Sequence, residues 1–161
     1  ADSGLPVDDR GRLIVDETLG CPAYPEITGA GDAVAVPASV GAHLAMGART
    51  ALPLGLAAAE HVLAELRGEQ PRPISIGLLG PSISLGRRDG YIQPTRADDS
   101  PLPLAFTGRL GAAIKAWVCR MTIDDPRAER ERPGAYRVPP GPPPTSTPTP
   151  TGHLERTETR R

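Results

Sequence analysis

The 161 residues suffice for one modest domain or parts of two. Apolar residues reach 39% and aromatics 3%, and a formal net charge of -1 argues against a dedicated nucleic-acid binder, which carries a basic excess or stripe. Cys21 and Cys119 form no CxxC pair and His43, His61 and His153 no ligand spacing, so neither zinc nor dithiol chemistry is signalled; no apolar run of about 18 residues marks a spanning helix.

Residues 5–15 read as a hairpin, with "LPV" and "RLIV" flanking the turn chemistry of "DDRG". The "ETLGCPAYP" segment is broken by Pro22 and Pro25 and reads as loop, followed by a short strand at 26–28 and a tight turn at 29–32. Residues 33–48 are rich in small residues and show no period. Leu52, Leu56, Ala59, Leu63 and Leu66 then recur at steps of four and three, predicting a helix over 51–67 with Thr50 as N-cap and Gly68 as stop. Its opposite face carries Glu60, His61, Glu65 and Arg67.

Residues 69–73 read as a linker, and "ISIGLLG" and "SISLGRRDGYIQP" as two or three strands with a tight turn at "RRDG". Residues 107–123 predict a second helix, with Leu110, Ala113, Ile114, Trp117, Val118 and Met121 on one face. From Asp124 the chain turns polar and Pro-rich, the composition of a disordered tail. The expected fold is mixed α+β: residues 1–68, a small α+β unit at 69–123, and a tail at 124–161.

"PEITGAGDAVAVP" (25–37) poses the functional question. A pyrophosphate-binding fingerprint needs G-x-G-x-x-G, but Val34 holds its third glycine position and Asp32 would direct a carboxylate at the phosphates. A carboxylate suits a polyol instead, because it accepts hydrogen bonds that hydroxyls donate. The flanking glycines let the backbone come close, leaving Asp32 as the group that fixes the chain.

The run "GLPVDDRGRLIVDETL…PEITGAGDAVAVP" resembles the second flavin motif of FAD-dependent pyridine nucleotide oxidoreductases, more narrowly the type II NADH dehydrogenase-like group. The resemblance covers roughly 4–123 and takes in "RTALPLGLAAAEHVLAEL" and the later hairpins. It implies that Gly31 and Asp32 meet the ribityl chain of FAD, and that Ala51 and Leu52 meet the flavin ring through backbone N–H groups at a helix start. It also implies NAD(P)H as hydride donor and onward transfer to an acceptor. Quinone-reducing members carry Ala-Gln where this chain has Ala51-Leu52, and Gly29 stands where the family mostly has Ala.

The family's first FAD motif and its nicotinamide half-domain have no counterpart here. The expectation is therefore a C-terminal portion of a longer bacterial enzyme, acting in the cytoplasm or peripherally on the inner face of the membrane. The competing expectation is a non-catalytic module whose uncovered core face seeks a partner or a second copy. Among other candidates, Asp98-Asp99 read as solvated turn acids, Arg87-Arg88 as surface charge, and His43 as a surface loop residue near the site. Helix 107–123 reads as a cover for the second unit's sheet or as a helix on a membrane surface.

Overall fold

A computed structural model of the chain describes residues 4–143 and has a mixed α+β fold. The Asp8–Gly11 turn is held by the Asp8 carboxylate, which accepts from the Arg10 and Arg12 backbone N–H groups and from Arg12 Nε. Val7 bridges Leu13 across this turn, as a hairpin requires. Strand β1 (Leu13–Ile14) follows and runs parallel to β4 (Val34–Ala35). Between them lies the antiparallel pair β2 (Gly20–Cys21) and β3 (Tyr24–Thr28). The segment read as loop therefore contributes β2, and β3 begins earlier than expected. Pro25 is accommodated because β3 pairs only with β2, leaving Pro at an edge where no ladder donor is needed.

A 3-10 turn at Gly31–Ala33 carries the Gly-Asp pair into β4. Short helix α1 (Ala38–Gly41) leads to α2 (Ala48–Leu66), whose N-cap is Gly47 rather than Thr50. Gly68 stops α2 as predicted. At φ 71 it donates to Glu65 O, and Glu69 N donates to Ala64 O, satisfying carbonyls the helix leaves open.

The buried face of α2 is not the leucine stripe. Thr50, Pro53, Leu54 and His61 are buried, with Ala57 and Ala58 packed against the core, while Leu63 and Leu66 are exposed. Both stripes satisfy the 3.6-residue period, so periodicity alone could not choose. The small side chains of Ala57 and Ala58 let the helix come close on their side.

The main core joins Val15, Leu19, Val34, Val40 and Leu54 to Ile74, Ile76 and Leu78. Residues 74–80 form no strand; Ile74 N donates to Glu17 O, and the segment lies against the first unit. The boundary expected at 68 is thus crossed by the core itself.

Strands β5 (Ser82–Gly86) and β6 (Asp89–Ile92) form a hairpin whose turn is Arg87-Arg88, with Asp89-Gly90 already in β6. Helix α3 (Gly108–Glu131) packs on it, backbone against backbone at Gly90 and Gly111. A Cβ on Gly90 would lie 2.7 Å from Ala112 N, and one on Gly111 would overlap Gly90 O. Lys115 Nζ donates to Ser82 Oγ across the same contact.

The expectation of an unstructured tail from 124 is corrected for residues 124–143; residues 144–161 lie outside the described ones. Helix α3 runs through Pro126 to Glu131, and the Glu129 carboxylate accepts from Gly134 N and Tyr136 N to turn the chain back. Gly77 N then donates to Pro139 O, Gly141 N donates to Ser75 Oγ, and Val138 packs on the main core. Composition missed this because it registers the prolines and charges but not the carboxylate that organises them.

Candidate functional site

The Gly-Asp turn and the start of α2 come together. Gly31 adopts φ 67, a conformation that favours glycine, and a Cβ there would sit 3.6 Å from Ala51 Cβ. Asp32 Oδ1 accepts from Gly47 N at 2.9 Å, so the carboxylate closes the N-cap of α2 from outside the helix. Asp32 is exposed. A carboxylate has room for about four hydrogen bonds, so capacity remains at the second oxygen.

Ala51 and Leu52 lie inside the first turns of α2 rather than at its start. Because α2 starts at Ala48, Ala51 N already donates to Gly47 O at 2.9 Å, and Leu52 lies one residue deeper. Thr50 N also donates to Gly47 O. Among the described residues no side chain caps the N–H groups of Ala48 and Arg49, which lie at the positive end of the helix dipole. The early start was not legible because the "AMGA" segment shows no apolar period.

Beside this junction is a cavity of about 210 Å³, with Arg12, Gly31, Asp32, Met46, Thr50 and Leu54 among its lining residues. Thr50 is 3% exposed, and its Oγ1 has no hydrogen-bond partner among the described residues. A groove of about 710 Å³ on the other side of α2 includes His61, Arg67, Arg72 and Tyr136 but neither Gly31 nor Asp32.

Two residues set aside in the sequence are tied into the site's frame. His43 is half-buried, and its Nε2 donates to Ile76 O at 2.7 Å. Asp99, expected to be a solvated turn acid, sits at φ 64 and accepts both Arg49 NH groups, at 2.9 and 2.8 Å. The start of α2 is therefore clamped to the 96–100 loop. Asp98 behaves as expected, accepting from Ser100 N and Oγ in an exposed turn. Sequence spacing could not have paired Arg49 with a residue fifty positions away.

The Arg49 hydrogen bonds hold the Asp99 carboxyl below its ordinary range. A carboxylate depressed in the folded state contributes stability above its unfolded pKa of about 4, and that contribution is lost as pH falls through the folded value. Asp99→Asn is expected to lower the thermal midpoint at neutral pH and to flatten its fall below about pH 4. Melts at several pH values check this: equal slopes for both proteins would mean that the pair contributes nothing.

Among the described residues, no group of three or more His, Cys, Asp or Glu could hold a metal ion, and no helix is long and apolar enough to cross a membrane. Cys21 is buried and Cys119 exposed, both free. No family model and no curated protein matches the chain.

Proposed function

We propose that the chain is a flavin-binding portion of an FAD-dependent NAD(P)H oxidoreductase, with Asp32 accepting hydrogen bonds from the ribityl hydroxyls. The observation that carries this reading is the junction itself: an exposed carboxylate on a glycine turn, set against a helix start whose Ala48 and Arg49 N–H groups no side chain caps among the described residues. Ala48 and Arg49 take the ring-edge role, since the positive end of the helix dipole favours the negative charge of a reduced flavin. The residues fit part of FAD. The 210 Å³ cavity is below the range of about 300–1,000 Å³ for drug-sized ligands, so it encloses no dinucleotide, and the adenylate half finds no holder in the turn.

When bound, the flavin supplies the hydride and electron chemistry. The chain's own residues orient it: Asp32 fixes the polyol, Gly31 lets the backbone approach, and the Arg49–Asp99 clamp holds the helix start in place. The electron acceptor, a quinone among the candidates, and contact with a membrane surface or a second copy belong to this same reading.

The competing reading, a module for association, is favoured by the apolar side chains left uncovered. Leu66 is 79% exposed on α2, and Leu79, Leu85 and Trp117 are exposed beyond it. A contiguous patch built from such side chains would favour partners.

Titration with riboflavin and with lumiflavin, which lacks the ribityl chain, separates the two. Asp32→Ala is expected to weaken riboflavin binding about tenfold, the scale of one hydrogen bond to a charged group. Lumiflavin binding should be unchanged. An equal loss for both ligands would remove Asp32 from the polyol role. Binding of neither flavin, with a mass that rises with concentration, would leave the association reading standing.

A further inference from the structure

We infer that the outer edge of β5 is a self-pairing surface, along which a second copy of this chain adds its own β5 in antiparallel order about a two-fold axis at Ile83. The inference is independent of the flavin reading, because the hairpin contributes neither Asp32 nor the start of α2.

The hydrogen-bond pattern shows which backbone groups are free. In an antiparallel ladder the N–H and C=O of one residue point to the same side, and two directly paired residues either bond each other or both turn away. Ile92 N donates to Phe106 O and Phe106 N donates to Ile92 O, so Ile92 is turned away from β5. Ser82, its partner in the hairpin, is therefore turned outward as well. The alternation continues with Ile83 directed at Tyr91 and with Ser84, paired with Gly90, directed outward again. β5 has no strand on that side, and neither Ser82 nor Ser84 makes a backbone hydrogen bond there among the described residues. The edge thus offers two donors and two acceptors, and it ends at the bulge that follows Ser84.

Charged side chains or a proline within the strand protect many edges of this kind. β5 contains neither, and residues 73–86 carry no charged side chain. The occupant follows from this pattern. Antiparallel pairing about Ile83 sets Ser82 of each copy against Ser84 of the other, so every outward N–H and C=O of these serines meets its complement. Arg87 and Arg88 then fall opposite the uncharged stretch before β5, and like charges do not oppose each other. The side chains agree. Lys115 Nζ donates to Ser82 Oγ, which turns the serines toward α3 and leaves Ile83 on the opposite face, 48% exposed. Pairing brings the Ile83 side chains of the two copies together as a non-hydrogen-bonded pair, the closer of the two kinds.

The test is sedimentation of the whole chain over a range of concentrations, with hydrogen exchange followed at single amides. The expected result is a reversible dimer in which exchange at the Ser82 and Ser84 amides slows as concentration rises. Ile83→Arg should weaken the dimer about tenfold, since it replaces an apolar cross-strand pair with two facing like charges. Ser84→Pro should also weaken it while sparing the hairpin's own ladder, because the N–H it removes points outward. Ser84→Ala, which alters only the side chain, should dimerise as the wild type does. A monomer at every concentration, a dimer whose Ser82 and Ser84 amides exchange no more slowly, or one that Ile83→Arg leaves as tight would each overturn the inference. If Ser84→Pro fails to fold, Ile83→Arg and the wild-type exchange rates decide. A monomer would leave the flavin reading untouched.

Discussion

Gly111→Val is expected to lower the unfolding free energy by about 3 kcal/mol, near the upper end for forcing atoms into a packed contact. Nothing flexible can yield at this position. The added side chain meets the carbonyl of Gly90, and the neighbouring contacts are backbone from β6 and from Phe106. A valine also gains little in helix propensity over glycine compared with the clash it creates. The matched control is Gly55→Ala in α2, where a Cβ meets nothing within 4 Å. That change should stabilise by about 1 kcal/mol, because only helix propensity is altered. Urea unfolding of both variants gives the comparison. A neutral Gly111→Val would mean that α3 does not rest on the hairpin through backbone.

Leu19→Ala is expected to cost about 3 kcal/mol, within the usual span for deleting a buried leucine side chain. Leu19 is fully buried in the main core and stands at φ 75, where a side chain is strained. The loop around it is braced internally and tied to three other parts of the fold. Asp16 Oδ1 accepts from Thr18 N and Gly20 N, Gly29 N donates to Leu19 O, His61 Nδ1 donates to Thr18 O, and Ile74 N donates to Glu17 O. The strain gives a sharper form of the test. Leu19→Gly should be more stable than Leu19→Ala by about 1 kcal/mol, reversing their usual order, because glycine is free at positive φ. Thermal unfolding of the pair decides, and Ala more stable than Gly would contradict the assigned backbone.

The parts of this fold legible in the sequence were those written in local chemistry. The Asp8–Gly11 turn, the Gly68 stop and the β5–β6 hairpin follow from residues that touch their own neighbours. What was not legible depended on distant partners. The leucine stripe and the Thr50–His61 stripe of α2 are equally periodic, and only packing into the core that holds Val34 and Ile76 selects the second. Trp117 and Leu110 belong to the apolar face predicted for α3, yet both are exposed, because contact with β6 centres on Gly111, which a hydropathy pattern does not register. At the candidate site, the glycine turn around Gly31 and Asp32 is visible in the sequence as local spacing. The Arg49–Asp99 clamp is not, since it is a long-range pair. Ala51 and Leu52 fall three residues inside the helix because Gly47, not Thr50, begins it.

The return of residues 138–141 to Ser75 and Gly77 changes how the molecule should be divided. The β5–β6 hairpin and α3 leave the first core after Leu78, and the chain comes back to it at Val138. In architectural terms they are an insert within a single body, not an appendage at its end. An exchange of this cassette between its two anchor points would leave the first core in place but would have to keep Asp99, whose pair with Arg49 supports the helix start beside Asp32.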